Sequence, residues 1–182
     1  PNFDFSNDDH HILNKDSGHI EPLTPEIFEQ TLPLLPGPNG DLLRTFRTMS
    51  DRGCPHRCSY CNVAYLSELY QDDESPYLRS RSPENVIREL ESVTTRFPFI
   101  QAIQFFDDTF FARPVARIQH IAKLYRERIP LPMYCQASPN TLTEEKLTAL
   151  LDAGCVYVEM GIQTGSARIR KLYRRTESNE KI

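Results

Sequence analysis

The chain has 182 residues, 39% of them hydrophobic and 25% charged, which is enough for one domain with a sizeable core. Its net charge of -4 gives no footprint for nucleic acid, which favours a strongly basic face. No apolar run approaches the roughly 20 residues needed to span a bilayer, and the start lacks the basic and apolar regions of a signal peptide, so a cytoplasmic protein is expected.

Six of the fourteen prolines fall in the first 38 residues, and Pro33, Pro36 and Pro38 flank Gly37 and Gly40. Such a stretch cannot make a long helix or a central strand. Residues 1–40 therefore read as an extended linker with one short helix beginning near Pro25. The run Asp8, Asp9, His10, His11 has metal-binding residue types, but nothing there fixes a geometry, and a solvated arm is the better reading. The start at Pro1 and the stop at Lys181-Ile182 read as those of a piece of a longer protein.

From residue 41 onward, strands alternate with helices. Leu42 to Ser50 is a first strand, followed by a cysteine-rich loop and a short helix over Ser59 to Tyr70. An acidic turn over Gln71 to Pro76 leads to a helix that Ser82 caps and Pro83 opens, with Val86, Ile87, Leu90 and Val93 on one stripe. Ile100 to Phe106 is the second strand, and Pro114 opens a helix that Pro130 stops. Met133 to Ser138 is the third strand, followed by a helix from Thr143 that ends at Gly154. Cys155 to Gln163 is the fourth strand, with a last helix over Ser166 to Arg175.

This alternation indicates βαβ units and a parallel sheet, a partial (β/α) barrel of about four units over residues 41–182. Such barrels carry their sites at the C-terminal ends of the strands, where the cysteine loop falls. Side chains alternate along a strand, and the apolar set should face the helices. Ile103, Phe105, Met133, Cys135, Ala137, Val156, Val158 and Met160 fit that side. Gln104, Phe106, Asp108, Tyr134, Gln136, Ser138, Tyr157, Glu159, Gly161 and Gln163 then point inward. So much inward polarity suits a cofactor-binding lumen, the alternative being a hydrogen-bonded core network. In the first strand Arg44 and Arg47 fall on opposite faces. The run Arg168, Arg170, Lys171, Arg174, Arg175 reads as a solvated helix face.

Three of the five cysteines sit within eight residues, Cys54-Pro55-His56-Arg57-Cys58-Ser59-Tyr60-Cys61. Without a secretory signal, such clustering argues for metal binding rather than disulfides. Three thiolates on one loop can hold three irons of a cubic cluster and leave the fourth open. Zinc wants four ligands, commonly two separated pairs, and a thioredoxin-like Cys58-Ser59-Tyr60-Cys61 pair leaves Cys54 unexplained. Cys135 and Cys155 lie in apolar stretches and read as buried core thiols.

The Cys-x3-Cys-x2-Cys loop, with aromatic Tyr60 before its third cysteine, resembles the motif of the radical S-adenosylmethionine (radical SAM) superfamily at every defining position. The resemblance implies a [4Fe-4S] cluster on Cys54, Cys58 and Cys61, with SAM chelated by the open iron and cleaved to a 5'-deoxyadenosyl radical. It implies SAM contacts from Tyr60, Asp108, Gln136, Ser138 and Glu159. It also implies a one-electron donor such as flavodoxin or ferredoxin, and a small-molecule substrate. The Gly-Gly-Glu frequent after the family's second strand is replaced by Phe106-Asp107-Asp108-Thr109, where the carboxylates can equally form a turn or cap.

Arg79 to Ile87, Phe105 to Phe110 and Met160 to Ser166 look like the cobalamin-dependent radical SAM subfamily. That likeness implies radical methyl transfer or a related carbon-centred reaction, with cobalamin supplied by a domain preceding the Pro-rich linker. A methylthiotransferase-type enzyme shares the cysteine loop and the Arg-Ser-Arg-Ser run, but its second cluster needs upstream cysteines, and residues 1–53 contain none. A non-catalytic iron-sulfur or zinc module is the reading from another class.

Overall fold

The computed structural model describes the backbone of residues 11–13 and 20–22, and residues 24–70 and 77–182 in full. The side chains of Asp8 to His11, considered above as a metal site, and the expected turn at Gln71 to Pro76 lie outside the described residues.

Strands β1 (His11–Leu13) and β2 (Ile20–Pro22) pair antiparallel. Helix α1 (Pro25–Thr31) forms near Pro25 as the sequence predicts, because the Thr24 hydroxyl accepts the Ile27 amide and Pro25 needs no donor there. The rest of the predicted linker is more structured than its prolines suggest. Strand β3 (Leu34–Pro36) pairs antiparallel with β4 (Leu42–Thr48), and Phe28 packs on the rings of Phe46, Phe97 and Phe99. Pro36 is tolerated because β3 is an edge strand.

The remaining elements follow in order. They are β5 (Asp51–Arg52), α2 (Asn62–Leu69), β6 (Arg79–Ser80), α3 (Pro83–Arg96), β7 (Ala102–Phe105), α4 (Val115–Arg128), β8 (Met133–Ala137), α5 (Glu144–Asp152), β9 (Cys155–Met160) and α6 (Ala167–Leu172). The main sheet runs β3-β4-β7-β8-β9, and its last four strands are parallel. This is a mixed α/β half-barrel with about four strand-helix units, as the alternation predicts.

Ser82 caps α3 through the Asn85 amide, Thr143 caps α5 through Lys146, and Gly154 takes a φ of +90° beyond the end of α5. The main core lies between the sheet and helices α3, α4 and α5, and includes Ile87, Leu90, Ile103, Phe105, Ile118, Ile121, Met133 and Leu150. Ile87 is fully buried there. An Ile87→Ala substitution should lower stability by about 2–5 kcal/mol in urea unfolding, through lost transfer energy plus the cavity left behind.

The opposite face carries the polar set. At its base Leu43, Ala102 and Tyr134 form a small cluster with Leu35, and the Tyr134 hydroxyl donates to the Pro36 carbonyl at 2.8 Å. Above it, Arg47 Nε donates to Gln104 Oε1 at 2.8 Å, and Gln136 Nε2 to Glu159 Oε2 at 3.0 Å. Arg44 turns the other way and pairs with Glu29 of α1.

Strict alternation fails at one residue. The register passes from Met133↔Cys155 to Tyr134↔Tyr157, so Val156 is the extra residue of a bulge. Cys155 packs into the helix-side core and Val156 is exposed, reversing what alternation predicts for Val156. β9 and α6 fall furthest short of their expected ends. β9 stops at Met160 before Gln163 at φ +60°, and α6 stops at Leu172 before Arg174 at φ +54°.

Candidate active site

The cysteine loop leaves the sheet through a narrow ribbon in which Asp51 and Arg52 pair with Ser80 and Arg79. Gly53 adopts φ +85°, and a Cβ there would lie 2.8 Å from the Tyr77 carbonyl oxygen, so the chain passes only as glycine. The Cys61 amide then donates to the Cys58 carbonyl at 3.1 Å, turning the chain into α2 three residues later than expected. The thiols of Cys54, Cys58 and Cys61 are all half-buried.

Two consecutive carboxylates at the end of β7 hold the start of this loop. Asp107 Oδ1 accepts from the Ser50 hydroxyl at 2.9 Å and from the Asp51 amide, and Asp108 Oδ2 accepts from the Gly53 amide at 2.9 Å. Asp51 in turn pairs with Arg113 and Arg117 at 3.1 and 3.3 Å, which ties the loop to α4. Arg117 also donates to the Arg81 carbonyl, and Arg81 pairs with Glu89 of α3. Burial pushes the Asp107 carboxyl up to about 6, and the Ser50 and Asp51 donors offset only part of that. Its Oδ2 is buried without a partner among the described residues.

The segment after α6 holds the far side of the loop. Ser59 donates its amide to the Tyr173 carbonyl at 3.1 Å and its hydroxyl to the Leu172 carbonyl at 2.7 Å. The Tyr60 ring meets Tyr173 edge-on at 4.8 Å. Arg175 donates to the Tyr60 hydroxyl at 3.2 Å and to the Gly161 carbonyl at 2.8 Å, and pairs with Glu177. The basic run is thus not uniformly solvated, since Arg170 is also buried and donates to the Thr164 carbonyl. These contacts end α6 early, because carbonyls of its last turn serve the loop instead. Charged hydrogen bonds contribute about 1.5–3 kcal/mol. Arg175→Ala should therefore speed amide exchange over residues 58–61 by roughly tenfold or more, read by hydrogen-exchange mass spectrometry.

All eight residues singled out from the sequence, Cys54, Cys58, Tyr60, Cys61, Asp108, Gln136, Ser138 and Glu159, line one cavity of about 330 Å³ at the strand ends. His56, Thr109, Gly161, Gln163 and Arg175 complete its wall together with Ala137, which alternation assigns to the helix side. Gly161 and Gln163 follow from inward alternation, but nothing local marks Arg175. A wider groove of about 570 Å³ between α4 and α5 is lined by residues such as Lys123, Arg126 and Glu145, and has no thiol. Ser138 is partly committed to Thr141, whereas Asp108 has an oxygen beyond the one that holds Gly53. Burial pushes the Cys54 thiol up, while the His56 amide and the Thr109 hydroxyl act in the opposite sense. Burial is also the main reason the His56 imidazole is held down.

Thiolates on one zinc sit about 4 Å apart, since each Zn–S bond is about 2.3 Å. Among the described residues, no three His, Cys, Asp or Glu side chains converge in that way. Three half-buried thiols on the wall of one cavity suit the separate irons of a polynuclear cluster.

The profile of the Radical SAM superfamily matches residues 50–182. An uncharacterized methyltransferase of Pyrococcus horikoshii is 27% identical over 165 residues, covering 85% of this chain and 34% of that protein. The ribosomal protein uS12 methylthiotransferase RimO of Thermotoga petrophila is 30% identical over 139 residues, covering 71% of this chain and 30% of that protein. The chain thus spans about a third of the length of these relatives. Among solved structures, the radical S-adenosylmethionine methyltransferase TsrM of Kitasatospora setae, with cobalamin and a [4Fe-4S] cluster bound, shares the fold at a TM-score of 0.57. It is 20% identical and covers 76% of this chain and 27% of its own. The cobalamin-dependent S-adenosylmethionine radical enzyme OxsB gives a TM-score of 0.57 and 17% identity, covering 94% of this chain and 26% of its own.

Proposed function

Since the chain belongs to the radical SAM superfamily, we propose that Cys54, Cys58 and Cys61 hold three irons of a [4Fe-4S] cluster and that the cavity beside them binds SAM. The observation that carries this reading is the convergence of the loop thiols with Asp108, Gln136, Ser138 and Glu159 on one cavity. When bound, the cluster supplies the electron that breaks a carbon-sulfur bond of SAM and yields a 5'-deoxyadenosyl radical.

The chain's own residues bind, orient and exclude water. Asp108 and Glu159 offer carboxylate oxygens to the SAM amino group, and Gln136 and Ser138 offer amide and hydroxyl groups to the ribose. Arg175 and Tyr173 fix Tyr60, and with it the loop, against the end of β9. A one-electron donor of the flavodoxin or ferredoxin type reduces the cluster, and reduced thiols suit a cytoplasmic setting. Among the described residues, no helix is long and apolar enough to cross a membrane.

Within the superfamily, we favour cobalamin-dependent methyl transfer to a small molecule, with residues 1–40 leading from a cobalamin-binding domain. The fold likeness to TsrM and OxsB and the methyltransferase name of the Pyrococcus relative support it. The likeness to RimO supports methylthiotransfer as the second reading.

The test is electron paramagnetic resonance of anaerobically reconstituted, dithionite-reduced protein with and without SAM. A [4Fe-4S] signal that changes with SAM is expected. Iron that does not bind, or a signal indifferent to SAM, would sink the reading.

A further inference from the structure

Among the described residues, two buried polar atoms of the cavity wall have no hydrogen-bond partner, His56 Nε2 and the Thr109 hydroxyl. Thr109 follows the paired aspartates of β7 and precedes the short 3-10 turn Phe110–Ala112, its carbonyl accepting the Ala112 amide at 3.1 Å. Its position relative to the cysteine loop is fixed, because Asp108 holds the amide of Gly53, the residue before Cys54. Yet the Thr109 hydroxyl is closed off from solvent and makes no hydrogen bond among the described residues. Leaving a buried hydroxyl unpartnered costs about 1–3 kcal/mol, so an acceptor is expected there. Thr109 lines the same cavity as Cys54, and its hydroxyl is not hydrogen-bonded to the Cys54 sulfur in this structure. The His56 amide approaches the same sulfur at 3.4 Å.

We propose that the Thr109 hydroxyl donates a hydrogen bond to the Cys54 sulfur once that sulfur is an iron-bound thiolate, and thereby raises the reduction potential of the cluster. This rests on the cluster reading above. A donor aimed at a thiolate sulfur stabilises the reduced, more negative form more than the oxidised one, and such hydrogen bonds are among the levers that set cluster potentials. Thr109 is a positioning residue in this role, since it reaches the iron only through Cys54.

The test is a redox titration, followed by electron paramagnetic resonance, of the cluster-loaded protein beside Thr109→Val, Thr109→Ala and Thr109→Ser, with iron and sulfide measured in each. Valine keeps the shape of threonine and deletes the donor, and serine keeps the donor. At the wild-type midpoint, the reduced-to-oxidised ratio in the Val and Ala variants should fall roughly tenfold, a shift of about 59 mV for one electron. The Ser variant should stay near wild type. An unchanged midpoint in a loaded Val or Ala variant overturns the proposal, as does a Ser variant that behaves like Val. Loss of the cluster from both Val and Ala also counts against it, because a bond that only tunes the potential is not needed for loading. A wild-type protein that holds no cluster refutes the cluster reading instead.

Discussion

Cys58→Ala should leave the chain folded and unable to hold its cluster, with SAM cleavage falling by more than about 100-fold. Even ligand-supporting residues around a metal cost 10–100-fold when changed, so removing one of three direct ligands should exceed that range. The loop itself does not depend on this thiol. It is fixed on one side by Asp107 and Asp108 and on the other by the contacts of Ser59 and Tyr60 with residues 172–175, all of which survive the substitution. Circular dichroism of the variant should therefore match wild type, while iron and sulfide content, the visible absorbance band and 5'-deoxyadenosine formation all collapse. A variant that retained a SAM-responsive cluster would remove Cys58 from the ligand set.

The second large effect concerns Asp107, whose carboxyl is raised from an ordinary 3.8 to about 6 by burial. A carboxyl raised on folding contributes stability that is fully present below about pH 4 and is lost as pH rises through about 6, because the folded site resists the charge more than the unfolded chain does. That rise corresponds to about 3 kcal/mol. Asp107→Asn keeps an oxygen for the Ser50 hydroxyl and the Asp51 amide and cannot ionise. Its stability curve should therefore be flatter between pH 4 and 7, and at pH 7 it should be more stable than wild type by up to about 3 kcal/mol. Asp107→Leu should instead be destabilised at every pH, because the buried Asp51 amide loses its acceptor and the Ser50 hydroxyl keeps only Asp51 Oδ2. Urea unfolding at pH 4.5, 6 and 7.5 separates the cases, and an undiminished pH slope in the Asn variant would contradict the assignment.

Much of this was readable in the sequence, because it is written in local signals. Ser82-Pro83 marks a helix start through one side chain and one missing donor, and the cysteine spacing confines three thiols to a single loop. Alternation placed Gln136 and Glu159 on a common face, where they hydrogen-bond. What was missed depends on contacts between distant residues. Arg175 and Tyr60 are 115 positions apart, so a charge run that looks solvated gives no sign of the hydroxyl and carbonyl it meets. For Asp107 and Asp108, a turn or helix cap was as reasonable as a ligand role. Both in fact reach back more than fifty residues to the loop that β4 feeds. Leu34–Pro36 read as linker because prolines disfavour sheet, but an edge position with one free side removes the objection.

The bulge at Val156 has a consequence for how this region can vary. With Cys155 packed among the helices, an unbroken strand would turn Tyr157 and Glu159 toward the helices as well. The one additional residue brings Glu159 to the cavity and leaves Val158 in the core. Chain length at this point, more than the identity of the side chain, decides which chemistry faces the cavity. Position 156 should accept many amino acids in a mutational scan, whereas deleting it should exchange the two faces of β9 and place a carboxylate in the apolar layer.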